Sequence, residues 1–182
     1  MKYLIFSDIH GSAQTTEQIL NIFKKEKCDK MIILGDYIYH GPRNPLTQQY
    51  NAMKVAELLN AYKDEIIGVR GNCDSEVDQM VLDFPCRNDY ALICDNGINI
   101  FSTHGHVYGP NDLPTLKPID LFLYGHTHVC EINKEGNTVV CNPGSITLPR
   151  GGNPPSYAIY ENKNLTIYNF DTNEVIKILV LE

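Results

Sequence analysis

Short apolar runs alternate with amphipathic stretches through the first part of the chain. Residues 3–7, 31–34 and 66–69 are apolar and β-prone, which predicts three buried strands. Between them, 13–27 and 48–63 carry apolar residues at helical spacing, which predicts two amphipathic helices. This alternation predicts parallel strands joined by right-handed crossovers. Ligands of such sheets bind beyond the carboxyl ends of the strands.

The second part of the chain has a different pattern, in which β-prone runs are separated by tight polar turns. A short helix is predicted over 75–84 before this pattern begins. The predicted strands are 90–94, 98–102, 121–124, 138–141, 157–160, 165–170 and 175–181. Turns such as Asp95-Asn96-Gly97 separate several of them, so we interpret this part as a β meander.

Length and composition limit the classes of protein to which this chain can belong. The 182 residues, of which 43% are hydrophobic and 20% charged, predict a single domain over 1–182 with a substantial core. The net charge of −7 argues against strong nucleic-acid binding or attachment to an anionic membrane. No run is long enough for a signal-peptide core or a membrane span, and the six cysteines include no C-x-x-C pair. We therefore expect reduced thiols and a cytoplasmic location.

Polar clusters follow five of the predicted strands at the point where each strand ends. They contain two aspartates, one asparagine and four histidines that could bind metal: Asp8, His10, Asp36, Asn72, His104, His126 and His128. Mixed imidazole and carboxylate donors suit borderline divalent ions such as manganese, iron, zinc, cobalt or nickel. Seven ligands are too many for one ion and suit two ions with a bridging carboxylate. Such a pair can clamp both oxygens of a phosphoryl displacement.

Each cluster taken alone has a simpler structural explanation. Asp8 could cap the following helix, and Gly35-Asp36 could be an ordinary turn. A single His-x-His pair could be a coincidence at the surface. The recurrence of such clusters after five strands favours metal binding.

In order and spacing, these clusters resemble the calcineurin-like metallophosphoesterase superfamily and, more narrowly, its YfcE-type phosphodiesterases. The sequences of segments 40–44, 70–80 and 142–145 are also similar to those of that subgroup. The resemblance covers essentially the whole chain. It implies an α/β fold that is a four-layer α/β/β/α sandwich with two facing mixed β-sheets.

The resemblance also divides the seven ligands between two divalent ions, of which manganese is the expected one. The first ion would take Asp8, His10 and His128, and Asp36 would bridge both ions. The second ion would take Asn72, His104 and His126. A metal-bridging hydroxide would attack phosphorus, so the implied function is hydrolysis of small phosphodiesters by a binuclear metal enzyme.

Cys73 is the departure from the superfamily pattern, which commonly has histidine between this asparagine and the following acid. That histidine is assigned to the substrate phosphate and to departure of the leaving group. A thiol is a weak donor without positive charge, and a monoester carries an extra negative charge. We therefore predict a catalytic contribution from Cys73 that favours diesters over monoesters. The alternatives are packing beneath the site or action as a metal-perturbed nucleophile.

Three further residues are candidates for roles around the metals. Asp74 is predicted to assist catalysis by orienting Cys73 or a neighbouring ligand, with a turn or helix cap as the alternative. Arg43 is predicted to bind the substrate phosphate, and a surface ion pair is the alternative. His106 is predicted to contact substrate, or else to supply a supporting hydrogen bond. The segment 142–145 is expected to be a structural turn bordering the site.

Two competing functions remain open at this point. A phosphomonoesterase or nucleotidase could use the same metal centre. A protein-interaction scaffold of the same fold would not need all seven ligand positions, which are present here. Exposed strand edges in the second part of the chain could pair between subunits, so a homo-oligomer is a further expectation.

Overall fold

The computed structural model describes residues 1–112, 115 and 118–181. Its two α-helices are α1 (Ala13–Lys25) and α2 (Ala52–Asn60). Its first strands are β1 (Lys2–Phe6), β2 (Lys30–Ile33), β3 (Ile66–Gly68), β4 (Tyr90–Asp95), β5 (Ile98–Thr103) and β6 (Leu121–Leu123). The remaining strands are β7 (Glu131–Glu135), β8 (Thr138–Asn142), β9 (Ser156–Glu161), β10 (Asn164–Asn169) and β11 (Val175–Val180).

The first sheet contains six strands in the order β11-β10-β9-β1-β2-β3. β1, β2 and β3 pair in parallel, and α1 and α2 provide the crossovers, which confirms the predicted alternation of strands and helices. β9, β10 and β11 form an antiparallel meander that joins β1 through β9. The carboxyl ends of the three parallel strands therefore meet at one edge of the sheet.

The second sheet contains five strands in the order β4-β5-β6-β8-β7, and it corrects the meander interpretation. Its central pairs, β5 with β6 and β6 with β8, are parallel because long connections return the chain to the same direction. Strand β7 was not predicted, because its sequence Glu-Ile-Asn-Lys-Glu is polar apart from one residue. It is an edge strand that needs only one buried side chain, Ile132.

The predicted helix boundaries are wrong at two places. α2 begins at Ala52 rather than at 48, because the Asn51 side chain accepts a hydrogen bond from the Lys54 amide at 3.0 Å and caps the helix there. The predicted helix over 75–84 is a single 3-10 turn, Asp78–Met80. Side chains of Asp78 and Gln79 bind nearby backbone groups and replace helical hydrogen bonds.

Hydrophobic packing defines the layers. Leu4 and Phe6 face the two helices, whereas Tyr3 and Ile5 point to the opposite face of the strand and pack between the sheets. This places one core under the helices and a second core between the sheets, and the fold class is confirmed.

The outer face of the second sheet carries the aromatic side chains of Phe101, Phe122 and Tyr124. In the described part of the chain, loop residues Tyr108 and Ile119 cover this face, and both α-helices lie on the first sheet. Among the described residues, Tyr108 and Ile119 thus contribute to the fourth layer. Within residues 1–112, 115 and 118–181, neither helix has the length and apolar character needed to cross a bilayer.

Candidate metal centre

The seven predicted ligands come from loops that follow β1, β2, β3, β5 and β6, and the structure brings them together. Because the two sheets pack face to face, the ends of their parallel strands form one common edge. The ligands form a connected set, in which neighbouring ligand atoms are 2.6–3.8 Å apart.

The first cluster contains Asp8, His10 and His128. The Nε2 atoms of the two histidines are 3.3 Å apart, and Asp8 Oδ1 lies 3.3 Å from His128 Nε2 and 3.8 Å from His10 Nε2. His10 Nδ1 lies 2.9 Å from the carbonyl oxygen of Tyr39, and His128 Nδ1 lies 2.5 Å from that of Leu148. A carbonyl can only accept, so Nδ1 carries the proton in both rings and both Nε2 lone pairs point at the same place.

The second cluster contains Asn72, His104 and His126. His104 Nε2 lies 3.0 Å and His126 Nδ1 lies 2.6 Å from Asn72 Oδ1. The other nitrogen of His104, Nδ1, lies 2.6 Å from the carbonyl oxygen of Leu34 and donates there, so Nε2 is the nitrogen that faces Asn72. His104 and His126 therefore present different ring nitrogens to the same position.

Asp36 lies between the two clusters. Its Oδ2 atom is 3.6 Å from His10 Nε2 and 3.6 Å from His104 Nε2. A carboxylate oxygen that is equally far from a ligand of each cluster is in position to bridge two ions.

The donor chemistry fits divalent cations. Asp8 Oδ1 is buried, and the described residues offer it no hydrogen-bond donor. Burial alone would raise the pKa of Asp8, but the neighbouring imidazoles of His128, His104 and His10 hold this pKa well below its usual range. A buried, ionised oxygen beside converging imidazole lone pairs needs a cation as its partner.

Backbone conformation also marks this edge as specialised. Five of the seven ligands occupy the left-handed region, which non-glycine residues rarely adopt: Asp8, His10, Asp36, His126 and His128, with φ between 49° and 67°. Each such residue costs about 1–3 kcal/mol, and strain of this kind concentrates at functional sites.

Two motif glycines permit the close approach of the strand ends. A Cβ atom at Gly71 would overlap the side chain and backbone of Asp36, and one at Gly125 would overlap Ser7 Oγ. The glycine before each ligand therefore allows loops from neighbouring strands to pack closely enough to share ions.

Cys73 lies in the wall of a cleft above the ligands. Its backbone N–H donates to Asp36 Oδ1 at 2.8 Å, and the Asn72 side-chain amide donates to its Sγ at 3.3 Å. Burial and the Asp36 carboxylate raise the pKa of the thiol to about 12. Cys73 thus borders the cleft rather than packing beneath the site.

Asp74 is bound to the backbone of two ligand loops. Its buried carboxylate accepts backbone N–H groups of Asp36 at 2.8 Å, Tyr37 at 2.9 Å and Gly71 at 2.7 Å. Burial and the Asp36 charge raise its pKa to about 7, despite these three donors. Asp74 therefore links the loops of Asp36 and Gly71, a geometry that suits the predicted orienting of a neighbouring ligand.

The two predicted substrate-binding residues lie on different sides of the site. Arg43 is exposed at the cleft wall, and within the described residues no carboxylate lies near enough to form the alternative surface ion pair. His106 lies beside the second cluster, with its ring centroid 5.3 Å from that of His104 and 6.3 Å from that of His126. Burial, followed by the charges of His104 and Arg70, lowers the pKa of His106 to about 4.

The segment 142–145 supports the ligand loops, as expected of a structural turn. The Asn142 side-chain amide donates to the Gly125 carbonyl at 2.8 Å and to Thr127 Oγ1 at 2.9 Å. Ser145 Oγ donates to the Asp8 carbonyl at 2.9 Å. These bonds fix the two loops that carry Asp8 and His126.

The cleft above the ligands has a volume of about 320 Å³. Its walls include three residues that were not predicted from the sequence: Tyr39, Asn44 and Arg150. Arg150 Nη2 donates to Asn44 Oδ1 at 2.9 Å, across 106 residues of sequence. No local motif marks Arg150, because its approach to the cleft depends on the packing of a distant loop.

Comparison with known proteins agrees with this geometry. A protein-family model described as the calcineurin-like phosphoesterase superfamily domain matches residues 1–165. The chain is similar to phosphodiesterase YfcE of Escherichia coli, with 43% identity over 176 residues that cover 97% of this chain and 96% of that protein.

Solved structures extend the comparison to the fold. A structure described as YfcE, a phosphoesterase from Escherichia coli, superimposes with a TM-score of 0.97 at 41% identity, over 100% of both chains. Vacuolar protein sorting 29 from Cryptosporidium parvum has a TM-score of 0.66 at 16% identity, covering 98% of this chain and 95% of that one. At this low identity the second likeness concerns the fold alone.

Proposed function

This chain belongs to the calcineurin-like phosphoesterase superfamily, and from that premise we propose that it is a metal-dependent phosphodiesterase acting on small phosphodiesters. The observation that carries this proposal is the convergence of four imidazole nitrogens, an amide oxygen and two carboxylates at one strand edge. The proposal includes two divalent ions, and among those that the donor set suits, manganese is the one that the family resemblance leads us to expect.

The two clusters would each hold one divalent ion. Asp8, His10 and His128 would hold the first, and Asn72, His104 and His126 would hold the second, with Asp36 shared between them. When bound, such ions supply an activated water as nucleophile and positive charge for the oxygens around phosphorus.

The chain's own residues would orient the substrate in the cleft. Arg43 has an exposed guanidinium that can donate two parallel hydrogen bonds to a phosphate. His106 is neutral and half-buried beside the second cluster, so it can hydrogen-bond an ester oxygen without adding charge. Asp74 would keep Asp36 in place through its backbone hydrogen bonds.

Removal of the Asp36 carboxylate tests the two-metal centre. We expect Asp36→Asn to lower kcat/KM for bis(p-nitrophenyl) phosphate by at least about a hundredfold in manganese, because the change weakens the ligand shared by both ions. Exposed Asp83 offers a matched control, and Asp83→Asn should behave like the wild type.

Two outcomes would contradict the proposal. Near-normal activity of Asp36→Asn would rule out the shared-carboxylate assignment. A wild-type protein that leaves the diester intact after loading with manganese, and that does not respond to chelator, would remove the enzymatic function and favour the scaffold alternative.

A further inference from the structure

The cleft wall carries a concentration of positive charge in a protein whose net charge is −7. Arg43 and Arg150 both line the cleft and are exposed, and Asp36 is the carboxylate among the described residues that line it. Because the protein as a whole is acidic, the positive charge of these two arginines is a local feature of the cleft and does not reflect the overall composition.

Arg150 is held in a defined position at the wall. Its Nη2 donates to Asn44 Oδ1 at 2.9 Å, and the Asn44 side-chain amide donates in turn to the His40 carbonyl at 2.8 Å. The Arg150 backbone N–H also donates to the His128 carbonyl at 3.0 Å, which ties this residue to the ligand loop. Asn44 uses one donor of the guanidinium, and the fork has five.

The charge of the site exceeds what one phosphodiester group can neutralise. On the proposed function, two divalent ions bring four positive charges, of which the Asp8 and Asp36 carboxylates offset two. Arg43 and Arg150 add two more, whereas a phosphodiester group carries one negative charge. A fixed guanidinium with free donors in such a cleft favours a planar anion such as a carboxylate or a phosphate.

We propose that Arg150 is a specificity-determining residue, positioned by Asn44, that binds a second anionic group of the substrate beyond the scissile phosphate. The substrate class is therefore a small phosphodiester that bears an additional carboxylate or phosphate on one ester arm. This inference rests on the proposed phosphodiesterase function and adds the substrate class to it.

A matched pair of diesters tests the proposal. The p-nitrophenyl esters of propyl phosphate and 2-carboxyethyl phosphate share one leaving group, and the second carries a carboxylate where the first carries a methyl group. We expect the wild type to prefer the carboxylate diester in kcat/KM, and Arg150→Gln to lower that preference about tenfold. Arg150→Lys, which retains the charge, should keep part of the preference. Asn44→Ala should reduce it, because the guanidinium loses its anchor.

A control and a second measurement keep the test decisive. Arg87 is exposed and forms an ion pair with Glu76, with 2.8 Å between Arg87 Nη2 and Glu76 Oε1. Neither residue lines the cleft, so Arg87→Gln should retain the wild-type preference. Calorimetric affinities for 2-carboxyethylphosphonate and ethylphosphonate should show the same loss of preference in Arg150→Gln without any turnover.

The outcomes separate this inference from the proposed function. An unchanged preference in Arg150→Gln, in both hydrolysis and binding, would overturn the role of Arg150 and leave the phosphodiesterase intact. If the wild type hydrolyses neither of these diesters nor bis(p-nitrophenyl) phosphate, the proposed function is wrong, and the phosphonate affinities alone decide whether Arg150 selects a second anion.

Discussion

Cys73 is the residue at which this chain differs from superfamily members that have histidine at the same position. Its thiol borders the cleft and its backbone N–H is bound to Asp36, so a side chain at this position reaches the substrate region. The thiol carries no positive charge with which to neutralise the extra charge of a monoester.

Replacement of this thiol by imidazole gives a direct prediction. Cys73→His should raise the ratio of p-nitrophenyl phosphate hydrolysis to bis(p-nitrophenyl) phosphate hydrolysis about tenfold, because an imidazolium adds a charged donor. Cys73→Ser removes the thiol without adding charge, and its ratio should stay near the wild-type value. An unchanged ratio in Cys73→His would show that this position does not set the preference.

Predictability at this scale depended on the distance in sequence between partners. The seven candidate ligands could be predicted from the sequence because each lies within a few residues of an apolar run. The contacts of Asp74 could be predicted only in part, since two of its three backbone partners, Asp36 and Tyr37, belong to a different loop. The position of Arg150 at the cleft could not be predicted, since its partner Asn44 is 106 residues away in sequence.

At the scale of elements, apolar patterning identified the strands and the two helices but not their ends. α2 begins at Ala52 because the hydrogen bond that the Lys54 amide donates to the Asn51 side chain outweighs the longer apolar stripe. The polar strand β7 escaped prediction because an edge strand buries so little. The parallel pairing of β5, β6 and β8 depends on where long connections return the chain, which periodicity does not record.

The cap of α2 yields a prediction of stability. Asn51→Ala should destabilise the protein by about 1 kcal/mol and lower Tm by roughly 2–4 °C, because the Lys54 amide loses its acceptor. Asn51→Asp keeps an acceptor and should retain the wild-type Tm in a thermal melt. Equal losses in both variants would show that the hydrogen bond is not what stabilises the helix end.

At the scale of the whole molecule, each cluster joins the two sheets. Asp8 and His10 follow a strand of the first sheet and His128 follows a strand of the second, while Asn72 faces His104 and His126 across the same boundary. Ions bound at these positions would link the sheets in addition to the hydrophobic core between them.

Metal removal should therefore change global stability. An ion at a hundred times its dissociation constant stabilises a folded protein by about 2.7 kcal/mol, so chelation should lower Tm by roughly 5–10 °C. Re-addition of manganese should restore Tm in the wild type and in Asp83→Asn, but only partly in Asp36→Asn. A Tm that does not respond to chelator would contradict metal binding at these clusters.

The arrangement of ligands along the chain has a consequence for synthesis. His10 and His128 face each other at 3.3 Å although 118 residues separate them in sequence. A nascent chain that has emerged as far as Asn72 presents Asp8, His10, Asp36 and Asn72, but the imidazoles of the second sheet are still missing. On the proposed two-ion assignment, ion capture by the complete set must therefore follow translation of His128, and a chain released at Asn72 would lack part of both clusters.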